Sequence, residues 1–125
     1  ERAGLVALTV YPYLRHKELE FMAEKTRAQA VVFPAVYRRF NYLEMFREIQ
    51  KKRPSIKHFF LLDETVPENA GKDCQSLFQM AREGLKKSYP ESVFSERRFN
   101  PKTDVGLLTS TTGTTGLPKL VEWPI

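Results

Sequence analysis

An α/β fold, with a mostly parallel sheet flanked by helices, is predicted by three features of the sequence. Short apolar runs of strand length alternate with longer amphipathic segments of helical period. The first run, Leu5 to Val10, is apolar almost throughout, as expected of a strand buried on both faces. The last strong run is followed at once by small hydroxyl residues and glycines, Thr109 to Gly116. Open parallel sheets bind their ligands beyond the carboxyl ends of the strands, and this run sits in that position.

The remaining elements follow in order. Tyr11-Pro12-Tyr13 breaks the first strand, and a helix is expected from about Arg15 to Ala28, with Leu19, Met22, Ala23 and Thr26 on one face and Lys17, Glu20, Glu24 and Arg27 outward. Ala30 to Phe33 reads as the second strand, closed by Pro34. Asn41 is a suitable N-cap, with Glu44 three positions on as a capping-box partner. The helix it opens carries Tyr42, Met45, Phe46 and Ile49 on one face and ends at the basic Lys51-Lys52-Arg53 before Pro54. Lys57 to Leu62 is the third strand, leading through Asp63 and Glu64 into a polar loop that reaches Gly71. Cys74 to Lys87 reads as a helix with Leu77, Ala81 and Leu85 on one stripe. A charged, irregular excursion runs from Tyr89-Pro90 to Pro101, and Asp104 to Leu108 is the last strong strand, with a further strand starting at Leu120 to Trp123.

Composition narrows the function classes. The 125 residues carry a net charge of +5, but the basic residues fall in scattered pairs such as Arg38-Arg39 and Lys86-Lys87, without one dense patch interleaved with aromatics. A mildly basic solvated surface accounts for them, so no nucleic-acid partner is expected. One cysteine, Cys74, excludes an internal disulfide framework and fits a reducing compartment, hence a cytoplasmic location. No stretch approaches the roughly 20 apolar residues of a membrane span. His16 and His58 stand apart from any Cys/His cluster, so neither is expected to hold a metal. Asp63 and Glu64 read as loop acids, Tyr37, Phe40 and Tyr42 as packing aromatics, and Trp123 as an anchor in a core or interface.

The segment Thr109-Ser110-Thr111-Thr112-Gly113-Thr114-Thr115-Gly116-Leu117-Pro118-Lys119 carries the chemistry. Without bulky side chains, backbone N–H groups can turn toward a ligand, and hydroxyls and a lysine add donors, so the natural occupant is phosphate. It is not a Walker A loop, which requires Gly-x-x-x-x-Gly-Lys-Ser/Thr, and no Gly-x-Gly-x-x-Gly fingerprint is present. The run resembles the phosphate-loop signature of the adenylate-forming superfamily, Thr-Ser-Gly-Thr-Thr-Gly-x-Pro-Lys-Gly, from Thr111 to Leu120. Thr112 replaces the serine and Leu120 replaces the final glycine, which normally allows a turn. The segment Val32 to Tyr42, with its Phe40-Asn41-Tyr42 helix start, is similar to the matching region of dihydroxybenzoate-AMP ligases and related acyl-CoA ligases.

The resemblance implies the partial N-terminal domain of an adenylate-forming enzyme, with residues 1–125 ending just after the phosphate loop. It implies ATP and a carboxylic acid as substrates, Mg²⁺ on the phosphates, and CoA as acyl acceptor. Thr111, Thr112, Gly113, Thr114, Thr115, Gly116 and Lys119 would then bind the nucleotide, and no catalytic residue lies in this stretch. The opening Glu1-Arg2-Ala3-Gly4, which reads as a helix end with its glycine cap, and the apolar close at Trp123-Pro124-Ile125 suit a piece of a longer chain. A non-catalytic nucleotide-binding or interaction module that keeps the fold is the alternative.

Overall fold

The computed structural model describes residues 4–92, 100, 102–111 and 116–124. The chain falls into two compact units, Glu1–Leu14 with Ser88–Ile125, and Arg15–Lys87. The expected α/β class holds, but the strands form two three-stranded sheets and a small hairpin in place of one sheet.

In the unit Arg15–Lys87, helix α1 (His16–Thr26) buries Leu19, Met22 and Ala23, the face its period marks out. Its N-terminal turn is closed by Glu18, whose carboxylate accepts the Arg15 N–H at 3.3 Å. Arg27 ends it in the left-handed region (φ 49), and the N–H groups of Arg27 and Ala28 return to the carbonyls of Glu24 and Ala23, a Schellman closure made on arginine instead of glycine. Strand β2 (Ala30–Phe33) pairs in parallel with β5 (His58–Leu61), which pairs in parallel with β6 (Cys74–Ser76). Helix α2 (Tyr42–Lys52) is capped by Asn41, whose side chain accepts the Glu44 N–H at 3.0 Å. It buries Tyr42, Met45, Phe46 and Ile49, the four residues expected. The Phe46 ring lies 4.5 Å from Phe33, which meets Phe59 edge-on at 5.4 Å. Phe59 and Leu61 of the central strand are 0% exposed.

Two short elements differ from expectation. A hairpin of β3 (Val36–Tyr37) and β4 (Phe40–Asn41) precedes α2, its two-residue turn made by Arg38 and Arg39 at φ 48 and 65. Such tight turns favour Asn-Gly, so the arginines hid it. Cys74 does not begin a helix. It lies in β6, and α3 (Leu77–Leu85) starts only after Ser76, whose hydroxyl accepts the Gln79 N–H at 3.2 Å. Three residues of mixed polarity fused to a helix N-cap carry no strand period. Helix α3 also buries none of its residues: Leu77 is 37% and Leu85 88% exposed, so the stripe with Ala81 is uncovered by the described residues.

Arg47 ties α2 to the sheet. Its guanidinium grips both carboxylate oxygens of Asp73 at 2.6 Å, donates to the Ala70 carbonyl and to Cys74 Sγ, and lies 4.5 Å over the Phe59 ring. The Gln50 amide donates to Asp73 Oδ2 and to the Ile56 carbonyl, both at 3.0 Å. These bonds hold the Asp73 carboxyl well below the usual carboxylate range, and the Arg47 bond contributes most. Gly71 (φ +97) packs beneath the fork, where an added Cβ would stand 2.8 Å from Arg47 Nη2.

In the unit Glu1–Leu14 with Ser88–Ile125, β1 (Ala7–Thr9) pairs in parallel with β7 (Val105–Ser110), which pairs antiparallel with β8 (Leu120–Pro124). The expected two-sided burial of the first strand is not met among the described residues, since Leu5, Val6 and Val10 are 69%, 54% and 42% exposed. Of the expected surface excursion, residues 93–99 and 101 lie outside the described set.

Two stability predictions follow from the fork. Asp73→Ala should lower unfolding free energy by about 2 kcal/mol, the worth of charge-assisted hydrogen bonds, and Gly71→Ala by a similar amount through backbone strain. Denaturant midpoints check both; unchanged midpoints would remove the fork from the stabilising contacts. Because the folded-state pKa of Asp73 is depressed, its contribution is full above the unfolded value near ~3.9 and is lost as pH falls through the folded value. Asp73→Asn should therefore flatten the acid side of a stability–pH profile below about pH 4.

Candidate phosphate-binding site

The candidate loop is the connection of a β-hairpin. Strand β7 leads into it and β8 leaves it, with Ser110 opposite Leu120, Thr109 opposite Val121 and Leu107 opposite Trp123. The pairing continues one step beyond the strands. The Thr111 N–H donates to the Lys119 carbonyl at 2.9 Å, and the Lys119 N–H donates to Thr111 Oγ1 at 3.1 Å. The two ends of the loop are thus clasped by one backbone bond and one backbone-to-hydroxyl bond.

Strand faces alternate with a period of two, so Thr109, Val121 and Trp123 share one face, and the same alternation carries Thr111 and Lys119 onto it. The Trp123 indole N–H donates to Thr109 Oγ1 at 2.9 Å on that face. On the other face, Ser110 Oγ is buried without a hydrogen-bond partner among the described residues. Pro118 is buried while Leu117 and Lys119 are exposed.

Of the seven residues expected to bind nucleotide, Thr111, Gly116 and Lys119 are described, and Thr112, Gly113, Thr114 and Thr115 lie outside the described residues. Thr111 Oγ1 accepts from Lys119, which leaves its own O–H hydrogen for an anion. No carboxylate among the described residues pairs with the exposed Lys119 ammonium. A Cβ added at Gly116 would meet nothing within 4 Å, and its φ is not in the left-handed region. Neither turn chemistry nor packing among the described residues requires a glycine there. Open space at Gly116 and a Lys119 ammonium without a carboxylate, both among the described residues, suit a polyanion. Leu120, where the signature has glycine, opens β8 in extended conformation, so no turn falls on it.

The secondary candidates take structural places. Asp63 Oδ2 accepts the Ala35 N–H at 2.8 Å, and its carbonyl accepts from Ser76 Oγ at 2.7 Å, which ties the end of β5 to its neighbours. Glu64 pairs with Arg82. His16 Nε2 meets Glu48 Oε2 at 2.7 Å. Phe40 and Tyr42 pack edge to face at 4.9 Å, with Arg15 over Phe40 at 4.1 Å, whereas Tyr37 is 41% exposed. Cys74 is buried, and burial pushes its thiol pKa up, away from nucleophilic use. Among the described residues no group of three or more His, Cys, Asp or Glu could hold a metal ion. No helix among them is long and apolar enough to cross a membrane. Sequence reasoning missed the Thr109–Trp123 bond, because it depends on the register of two strands separated by the loop.

The profile of the family described as AMP-binding enzyme matches residues 1–124. The 2-hydroxy-7-methoxy-5-methyl-1-naphthoate–CoA ligase of Streptomyces carzinostaticus is 32% identical over 123 residues, 96% of this chain and 21% of that protein. The 2,3-dihydroxybenzoate-AMP ligase of Bacillus subtilis (strain 168) is 28% identical over 120 residues, 96% of this chain and 19% of that protein. The chain therefore spans about a fifth of the length of these curated relatives. In fold it matches the anthranilate CoA ligase AuaEII, solved in complex with anthranoyl-AMP, with a TM-score of 0.70 at 18% identity over 95% of this chain and 20% of that one.

If the space at Gly116 and the Lys119 side chain serve a ligand and not the fold, Gly116→Ala and Lys119→Ala should each leave unfolding free energy within about 0.5 kcal/mol. Denaturant unfolding of the two variants measures this. A loss well above that size would give these residues a structural role.

Proposed function

The chain belongs to the AMP-binding enzyme family, and from that premise we propose that it is part of an ATP-dependent ligase that activates a carboxylic acid as its adenylate and passes the acyl group to CoA. In the first step a carboxylate oxygen attacks the α-phosphorus of ATP, the bond to the β-phosphate bridging oxygen breaks, and pyrophosphate leaves. In the second step a thiol sulfur attacks the acyl carbon and AMP leaves. The observation that carries the reading is the clasped loop between β7 and β8, with the Thr111 hydroxyl at a strand end and a Lys119 ammonium unpaired among the described residues.

The residues of this chain act on the departing phosphates. Backbone N–H groups of the loop, the threonine hydroxyls and Lys119 would neutralise charge on the β- and γ-phosphates, a stabilisation that grows as pyrophosphate separates. Holding those phosphates also aligns the α-phosphorus for in-line attack. Bound Mg²⁺ would supply further charge neutralisation across phosphate oxygens. An aromatic acid is favoured as substrate, because both curated relatives are named for aromatic acids. The domain assignment belongs to the same reading: residues 1–125 form part of the large N-terminal domain, ending just beyond the phosphate loop. The exposed apolar stripe of α3 would then be covered by the remainder of the polypeptide. A cytoplasmic location is proposed with it, resting on the free Cys74 and the use of ATP and CoA.

Carboxylate-dependent ATP–pyrophosphate exchange tests the proposal. The full-length polypeptide carrying this chain should catalyse it, and Lys119→Ala or Thr114→Ala should slow it at least about tenfold, a transition-state loss near ~1.4 kcal/mol, with little change in melting temperature. The 125 residues alone should show none. Exchange by the short chain alone, or full activity in the Lys119 variant, would overturn the assignment.

A further inference from the structure

The geometry points to Trp123 and Thr109 as a register clamp for the phosphate loop: positioning residues whose cross-strand hydrogen bond keeps the Lys119 side chain on the ligand-facing side of the hairpin. This rests on the proposed reading of the loop as a phosphate site.

The argument begins with the period of a strand. Slipping β8 by one residue against β7 would turn every β8 side chain to the opposite face, so Lys119 would point away from Thr111. Register is normally pinned by burial of one face, but burial by the described residues is weak here. Leu107, Leu108, Thr109 and Ser110 are only half-buried, Val121 is 40% exposed and Trp123 54% exposed. The ladder is already irregular at its far end, with a register shift between the Val105 and Leu107 pairs. β8 pairs only with β7 among the described residues, as the last strand in the order β1-β7-β8. A long turn cannot dictate register as a two-residue hairpin loop does.

A directional side-chain bond supplies what burial does not. Trp123 stands opposite Leu107, just above the irregularity, and reaches diagonally toward the loop to Thr109 Oγ1 at 2.9 Å. In a slipped ladder the indole would project from the other face and the bond could not form. The bond and the Thr111–Lys119 clasp therefore favour the same register. Losing the bond leaves a fraction of molecules with Lys119 turned away, and the apparent affinity for ATP falls by that fraction, while saturating ATP recovers the competent register.

Full-length polypeptides carrying Thr109→Val, which keeps side-chain shape, Trp123→Phe, which keeps an aromatic ring without the N–H donor, or both, decide the matter. Each single change should raise KM for ATP in pyrophosphate exchange at least about twofold and at most about tenfold, the ceiling set by one neutral hydrogen bond, with kcat within about twofold. The double variant should be no worse than either single one, because both remove the same bond. Thr109→Ser, which keeps the hydroxyl, should restore KM. Independently of activity, amide hydrogen exchange at Thr111 and Lys119 should accelerate in the Val and Phe variants. An unchanged KM, multiplying effects in the double variant, or a fall in kcat alone would overturn the clamp. A wild-type protein with no exchange activity would overturn the ligase reading instead, and the amide protection would still decide the clamp: equal protection in all variants refutes it.

Discussion

Strand register is the constraint on which the rest of the molecule depends. Side chains on a strand alternate faces, so a register error moves a whole row of residues at once. The two units meet this constraint by different physics. In the unit Arg15–Lys87 the central strand β5 is paired on both edges, and Phe59 and Leu61 are fully buried, with Phe59 packed among Phe33 and Phe46. Shifting it would expose two large apolar side chains, at roughly 1.5–3 kcal/mol each, so burial alone fixes the pairing. Among the described residues the β7–β8 hairpin has no such payload, and its order falls to polar bonds across the strands.

Polar bonding also explains how the loops of the better-packed unit are kept in place. Arg47 could not lie beside Phe59 as a half-buried cation without acceptors, and Asp73, Ala70 and Gln50 provide them. The fork in turn draws the loop before β6 against α2, and β6 is short enough to need that help. Ser76 continues the chain of dependencies, bonding the Asp63 carbonyl and capping α3 with one hydroxyl. Exposed pairs such as Lys52 with Glu20 join α1 to α2 but add little by comparison.

Much of this was legible in the sequence, and the exceptions share a cause. The apolar faces of α1 and α2, strand β2 to the residue, and the Asn41 cap all follow from period and capping chemistry, which are local properties. The β3–β4 hairpin escaped because Arg38 and Arg39 occupy left-handed positions usually given to Asn and Gly. β6 escaped because its three residues have meaning only through their partner β5. The apolar run of β1 reads as buried on both faces and α3 as amphipathic, yet among the described residues Leu5, Val6, Val10, Leu77 and Leu85 are exposed. Period reports that a face is apolar, not what lies against it. The site divides the same way: Thr111, Gly116 and Lys119 announce themselves by residue type, whereas Trp123 matters only through a pairing the loop conceals.

The ends of the proposed site can be held in place and still leave donors for a ligand. A phosphate site gains most when its donors are held in place beforehand, since ordering them on binding would consume part of the interaction. Here the ordering bonds use the backbone of Lys119 and the acceptor side of the Thr111 hydroxyl. Among the described residues the Lys119 ammonium and the Thr111 hydroxyl hydrogen are left for the proposed ligand. Leu120 fits this division better than its departure from the usual glycine suggests. As the first residue of β8 it extends the ladder opposite Ser110, and a β-compatible side chain at that point stiffens the strand where glycine would loosen it. With Leu120 paired opposite Ser110, the residue next to Lys119 is fixed by the ladder, so the placing of Lys119 in the proposed site depends on the β7–β8 register.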